Sequence, residues 1–163
     1  MCWNNGKLKL GIHVGYGIDV FHTEDGRLYV CGRSLYGELG LGQGVPDTKV
    51  PTVLHMPNKE PVTDVACGSC HTLALTESGK VYSWGFSNCK QICQTAAADG
   101  FVWSPVDSMN EKGLGRSKVI AVACASASRT LIRMFVSRFW NICTMGNCHL
   151  HRCTGIAPAT GKH

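Results

Sequence analysis

Several groups of residues in this sequence have the types and spacing that chemistry requires. Cys67 and Cys70 form a C-x-x-C pair, the arrangement of a redox dithiol. His71 follows directly and has the side chain of a general base. Farther along, Cys143, Cys148, His149, His151 and Cys153 bring three thiols and two imidazoles into eleven residues, enough in number for a tetrahedral zinc ion. Residues 112–163 carry eight Lys and Arg and no acid, a charge of +8, whereas residues 1–111 hold eight basic and eleven acidic residues, 8 − 11 = −3. A basic stretch of that kind can contact nucleic-acid phosphates.

Each group also has a plainer reading. No Ser, Asp or Glu is placed by the sequence as a partner for His71. Cys148 and His149 are adjacent and so poorly placed to ligate one ion together, and no second spaced cysteine pair follows. The basic charges are spread thinly with little aromatic interleaving, the pattern of a solvated segment. No phosphate-cradling Gly loop followed by Lys and Ser/Thr is present, nor a nucleophile elbow, nor paired carboxylates on a common element. Catalytic, cofactor-binding and metal-ligating residues are therefore expected to be none, and the protein is expected not to be an enzyme.

The elements that must position these residues are strands. From His71 to Thr76, Leu73 and Leu75 share one face of an extended chain while Thr72, Ala74 and Thr76 take the other, which predicts a half-buried strand. Glu77, Ser78 and Gly79 supply a tight turn, and Val81, Tyr82, Ser83 and Trp84 supply a second strand. The same pattern stands 53 residues upstream, since 68 − 15 = 53 for the glycines, and the shift also matches Thr23 with Thr76, Glu24 with Glu77, Gly26 with Gly79, Tyr29 with Tyr82 and Gly32 with Gly85. A hairpin repeat of that length predicts a propeller or solenoid, in which neighbouring units cover one another's apolar faces.

The string VACGSCHTLAL from Val65 to Leu75 resembles the signature of the regulator of chromosome condensation repeat, and the likeness extends through Trp84 and Gly85 and upstream to GRLYVCGRSLYGELGLG from Gly26 to Gly42. The repeat-signature residues are Gly15, Gly26, Gly32, Gly68, His71, Gly79, Tyr82, Trp84 and Gly85, all with structural roles. The resemblance makes Cys67 and Cys70 packing residues and His71 a structural histidine; Ile18 stands at the corresponding position of the first repeat. In a third, degenerate copy, Ala125 replaces Gly68, Arg129 replaces His71, and no Gly-marked hairpin is visible beyond Leu131.

At 163 residues and 44% hydrophobic content the chain has the composition of a globular protein, with no apolar run of membrane-spanning length. Its start lacks the apolar core of a secretory signal, which points to the cytoplasm or nucleus and to reduced cysteines. The expected fold is all-β, a partial β-propeller of about two to three blades with an irregular C-terminal tail. Residues 1–11 are expected to be an N-terminal edge segment, 12–61 and 62–117 two repeats, 118–131 a degenerate third, and 132–163 a divergent basic, Cys-rich and disordered tail.

The family resemblance implies a protein–protein interaction module, with a small GTPase of the Ran type as partner and guanine-nucleotide exchange as an activity found in the family, although no exchange residue maps onto a numbered position here. The alternatives from the residues themselves are chromatin or nucleic-acid binding through the basic region and, behind it, a small zinc-binding protein. No cofactor and no membrane partner are expected. Open blade edges would invite self-association.

Overall fold

The computed structural model describes residues 11–87, 100–107, 118–124, 130–136, 139–145 and 151–156; Lys118 and the last three segments are described by their backbone. The strands are β1 (Gly11–Val14), β2 (Ile18–His22), β3 (Leu28–Gly32), β4 (Thr48–Leu54), β5 (Val62–Cys67), β6 (His71–Thr76), β7 (Val81–Phe86) and β8 (Phe101–Asp107). They continue as β9 (Lys118–Cys124), β10 (Thr130–Val136), β11 (Phe139–Met145) and β12 (His151–Ile156). A short 3-10 turn, Pro57–Lys59, lies between β4 and β5. Three four-stranded sheets result, in the orders β1-β2-β3-β4, β5-β6-β7-β8 and β9-β10-β11-β12, with every neighbouring pair antiparallel.

The repeat seen in the residues is also a repeat of strands. β2 and β6 begin 71 − 18 = 53 residues apart, as do β3 and β7 (81 − 28) and β4 and β8 (101 − 48). Both hairpins are built alike: Thr23 N donates to Arg27 O and Gly26 N to Thr23 O, just as Thr76 N donates to Lys80 O and Gly79 N to Thr76 O. The turn glycines carry φ of +78° at Gly26 and +86° at Gly79, a region that residues with a Cβ rarely adopt.

The sheets stack on one another in chain order. β5 packs on β1 and β2, and β9 packs on β5 and β6. One hydrogen bond recurs at each junction: Val62 N donates to Gly26 O at 3.0 Å, and Val119 N donates to Gly79 O at 3.4 Å. The first strand of each sheet is thereby fastened to the hairpin of the sheet before it. The core lies between sheets, where Ile18, Val20 and Val30 meet Val65, Ala74 and Trp84. This is the all-β, blade-on-blade arrangement of a partial propeller.

Two expectations are corrected. β6 is buried at all six positions and not on one face only, because sheets pack on both of its sides. The segment expected to be an irregular tail carries strand backbone through Ile156, and β10, β11 and β12 complete the third sheet with β9. β10 and β11 pair from Thr130↔Met145 to Val136↔Phe139, so their link is Ser137 and Arg138, without the glycine that marks the other hairpins. Their content of Val, Ile, Phe, Trp and Thr is what strands favour. Residues 1–10, expected to be a blade edge, lie outside the described residues, as do the side chains of Cys143, Cys148, His149, His151 and Cys153.

Burial separates residues that carry the stack from those that do not. Leu73 in β6 is fully buried, whereas Val50 in the outer strand β4 is 69% exposed. Urea unfolding of Leu73→Ala is expected to show a loss of about 2–5 kcal/mol. Val50→Ala should stay within about 0.5 kcal/mol of the parent.

Candidate functional site

Strand direction sorts the connections onto two ends of the blades. The hairpin turns at 23–27 and 77–80 lie at one end. The connections 15–17, 33–47 and 68–70 lie at the other. The longest connection among the described residues, 33–47, and with it the freedom to vary side chains without disturbing the sheets, belongs to the second end.

The loop after β3 is fixed by the blade that follows it. The Glu38 carbonyl accepts hydrogen bonds from Trp84 Nε1 at 2.8 Å and from Thr72 Oγ1 at 3.4 Å, and Gly42 N donates to Trp103 O at 2.9 Å. Gly40, at φ +69°, lies so close to the indole that a Cβ would stand 2.9 Å from Trp84 Cδ1. Leu39 is fully buried beside it, and the Glu38 carboxylate turns back to accept from Tyr36 N at 2.7 Å. Ser34 N donates to Asp47 Oδ1 at 2.8 Å and so draws the two arms of the loop together.

What this clamped loop presents is apolar and aromatic. Tyr16 is 72% exposed, with the Arg33 guanidinium 5.9 Å from its ring centroid. Leu35 is 56% exposed. Tyr36 stacks on Phe101 at 5.6 Å and tilts against Phe86 at 5.7 Å. Tyrosine, other aromatics and arginine are the side chains that supply most of the binding energy at protein interfaces. The spacing of chemistry-bearing residues did not reveal this group, because its members are scattered over residues 16–101 and only the blade stacking collects them. The run RSLYGELGLG, with its closely spaced glycines, is the signal that marked the loop.

The repeat-signature residues fall at equivalent places in the two sheets. Gly15 and Gly68 follow β1 and β5, Gly26 and Gly79 lie in the hairpin turns, and Gly32 and Gly85 lie in β3 and β7. Tyr82 and Trp84, both in β7, are 2% and 0% exposed. His71 opens β6 with no exposure, and its ring occupies the space that a side chain at Gly68 would need. Ile18 fills the matching space beside Gly15, where a Cβ would meet Ile18 Cγ1 at 2.8 Å. An aliphatic side chain in one blade thus occupies the space beside the glycine that the imidazole occupies in the next. Burial lowers the pKa of His71 to about 4, so the ring is neutral at pH 7.

The two thiols of the C-x-x-C pair are both shifted away from thiolate. Cys67 contacts the His13 carbonyl with Sγ at 3.8 Å, and burial pushes its thiol up to about 12. Burial also raises the pKa of Cys70. A nucleophilic or redox cysteine requires the opposite shift. No helix among the described residues is long and apolar enough to cross a membrane.

The Regulator of chromosome condensation (RCC1) repeat model matches residues 25–75, and a second model of the same repeat matches residues 62–91. The regulator of chromosome condensation of Homo sapiens is 32% identical over 129 residues, which are 79% of this chain and 30% of that protein. Ras guanine nucleotide exchange factor C of Dictyostelium discoideum is 46% identical over 66 residues, 40% of this chain and 4% of that protein. The chain therefore spans less than a third of the length of either relative. Among solved structures, Prp20p from Saccharomyces cerevisiae, reported with its binding properties to Gsp1p and histones, superposes with a TM-score of 0.66 at 19% identity, over 90% of this chain and 38% of that one. That likeness shows the fold.

Two outcomes are expected from this geometry. Trp84→Phe keeps an aromatic ring but removes the donor to the Glu38 carbonyl and part of the buried indole, at a cost of at least about 1–3 kcal/mol, and amide exchange in residues 34–42 should quicken more than in β2. The second concerns pH. The unfolded chain protonates His71 near 6.5 and the folded chain only near 4, so between these values the unfolded state binds more protons. Stability should fall by about 3 kcal/mol from this group as pH drops from about 6.5 to about 4. Equilibrium unfolding across that range should be flatter by this amount in His71→Ile, the residue type found at position 18.

Proposed function

This chain belongs to the regulator of chromosome condensation repeat family, and we propose that it acts by protein recognition at the loop end of its blades, with a small GTPase of the Ran type as partner. The observation that carries the reading is the clamped loop 33–44, which sets exposed Leu35 and half-buried Arg33 and Tyr36 beside exposed Tyr16 of the neighbouring 15–17 connection, on a rigid base. Pre-organisation of this kind lowers the ordering cost of binding. Protein interaction and small-GTPase regulation are the roles that the relatives support: one carries the name of a Ras guanine nucleotide exchange factor, and Prp20p was studied for its binding to Gsp1p and histones. The Ran type, exchange activity and a cytoplasmic or nuclear location are part of the proposal.

A second reading rests on a separate observation, the eight basic and no acidic residues of 112–163. It assigns DNA or chromatin contact to that region through phosphate neutralisation.

The full-length chain, immobilised and exposed to Ran-type GTPase in the nucleotide-free, GDP and GTP states, is expected to bind at least one of them. The double variant Tyr16→Ala, Leu35→Ala should weaken binding at least about tenfold with its thermal midpoint unchanged, since both side chains are exposed. Equal binding by parent and variant, or none to any nucleotide state, overturns the proposal. Affinity for a DNA duplex that falls steeply with salt, and disappears when the Lys and Arg of 112–163 are changed to Gln, would favour the second reading.

A further inference from the structure

The junction of the first two blades holds a pair of imidazoles that neither the repeat pattern nor the loop-end surface accounts for. His13 lies in β1 and His22 in β2. In the β1–β2 register His13 pairs with Val20 and His22 with Gly11, which makes the two histidines diagonal neighbours. Their rings stand 5.2 Å apart between centroids and tilt by 32°, and His13 Nε2 is 3.1 Å from His22 Nδ1.

Gly11 is what lets the His22 ring lie across the strand. A Cβ at this position would run into Cε1 and Nδ1 of that ring. From the second blade, Cys67 Sγ contacts the His13 carbonyl, and the negative field of Asp64 acts on the His13 ring.

We propose that His13 and His22 form a two-imidazole chelate for a divalent transition-metal ion of the nickel, copper or zinc kind. Two nitrogens bound to one such ion at about 2.0–2.1 Å, with an angle between tetrahedral and square, lie ~2.9–3.4 Å apart, and the observed pair falls within that span. Imidazole nitrogen is a ligand that these metals favour and that Mg2+ and Ca2+ do not. In the metal-free pair one ring donates its N–H to the other. On binding, the donating ring carries its proton on its remaining nitrogen, both facing nitrogens offer lone pairs, and no net proton is released. Among the described residues no group of three or more His, Cys, Asp and Glu converges, so two protein nitrogens hold the ion and solvent fills the other positions. Both rings are half-buried, which leaves room for that solvent. The Asp64 carboxylate across the junction supplies charge that favours a cation without being a ligand. An ion held here would brace β1 against β2 at the place where the second blade is seated.

The test uses the full chain with its histidine rings labelled with 15N and titrated with Ni2+ in excess Mg2+. The ring signals of His13 and His22 are expected to be lost together below one equivalent, with affinity rising from Mn2+ through Co2+ to Ni2+. His13→Asn should weaken Ni2+ at His22, and His22→Asn at His13, by roughly tenfold or more, and Gly11→Ala should do the same by displacing the His22 ring. Ni2+ should raise the melting temperature of the parent more than that of either Asn variant. Loss of signals from His149, His151 or His163 while His13 and His22 persist through one equivalent overturns the proposal. So does loss at one ring that is indifferent to removal of the other.

Discussion

A four-stranded sheet that is apolar on both faces cannot stand alone in water, and this constraint governs the rest of the molecule. β6 shows it most directly, because its threonines are as buried as its leucines. Burial of such a strand is favourable only if sheets cover both of its sides and its hydroxyls find partners. Thr72 finds one in the Glu38 carbonyl of the preceding blade, and Thr76 accepts from the Lys80 amide of its own hairpin. The bond from the first strand of each sheet to the preceding hairpin glycine then sets how neighbouring sheets sit. Each blade is a part whose surroundings are other parts of the same kind.

This explains why conspicuous residues turn out to be structural. A histidine, two cysteines and a tryptophan in one short segment suggest chemistry, yet three of the four are built into the packing between and within the blades. The imidazole of His71 fills the space left by Gly68, the thiol of Cys67 meets the His13 carbonyl, and the indole of Trp84 holds a loop in place. The surface open to partners is made by less conspicuous residues, Tyr16, Arg33, Leu35 and Tyr36, which owe their setting to that buried framework.

Much of the fold was legible in the residues, because glycine is a conformational signal. Gly26 and Gly79 placed both hairpins, and the 53-residue shift between them placed the corresponding strands. The third sheet was not legible beyond Leu131, since β10 and β11 are joined through Ser137 and Arg138 and the third copy lacks the glycine and histidine that identify the signature. The interaction group was illegible for another reason: its members come from two separate connections of the first blade, 15–17 and 33–47, and exposure at a blade end depends on how the stacking seats those loops. The His13–His22 pair depends on a diagonal across a register that periodicity alone does not fix.

The hold of one blade on the loop of the one before it also bears on the order in which the chain is made. Glu38 leaves the ribosome 46 residues ahead of Trp84, the side chain that anchors its carbonyl. Until the second hairpin has emerged, the loop has no seat, and Leu39, buried in the finished molecule, remains in water. Each blade is therefore finished one repeat late. A pause in translation between the two repeats would hold the nascent chain with a formed hairpin and an unseated apolar loop, the state most open to capture by a chaperone.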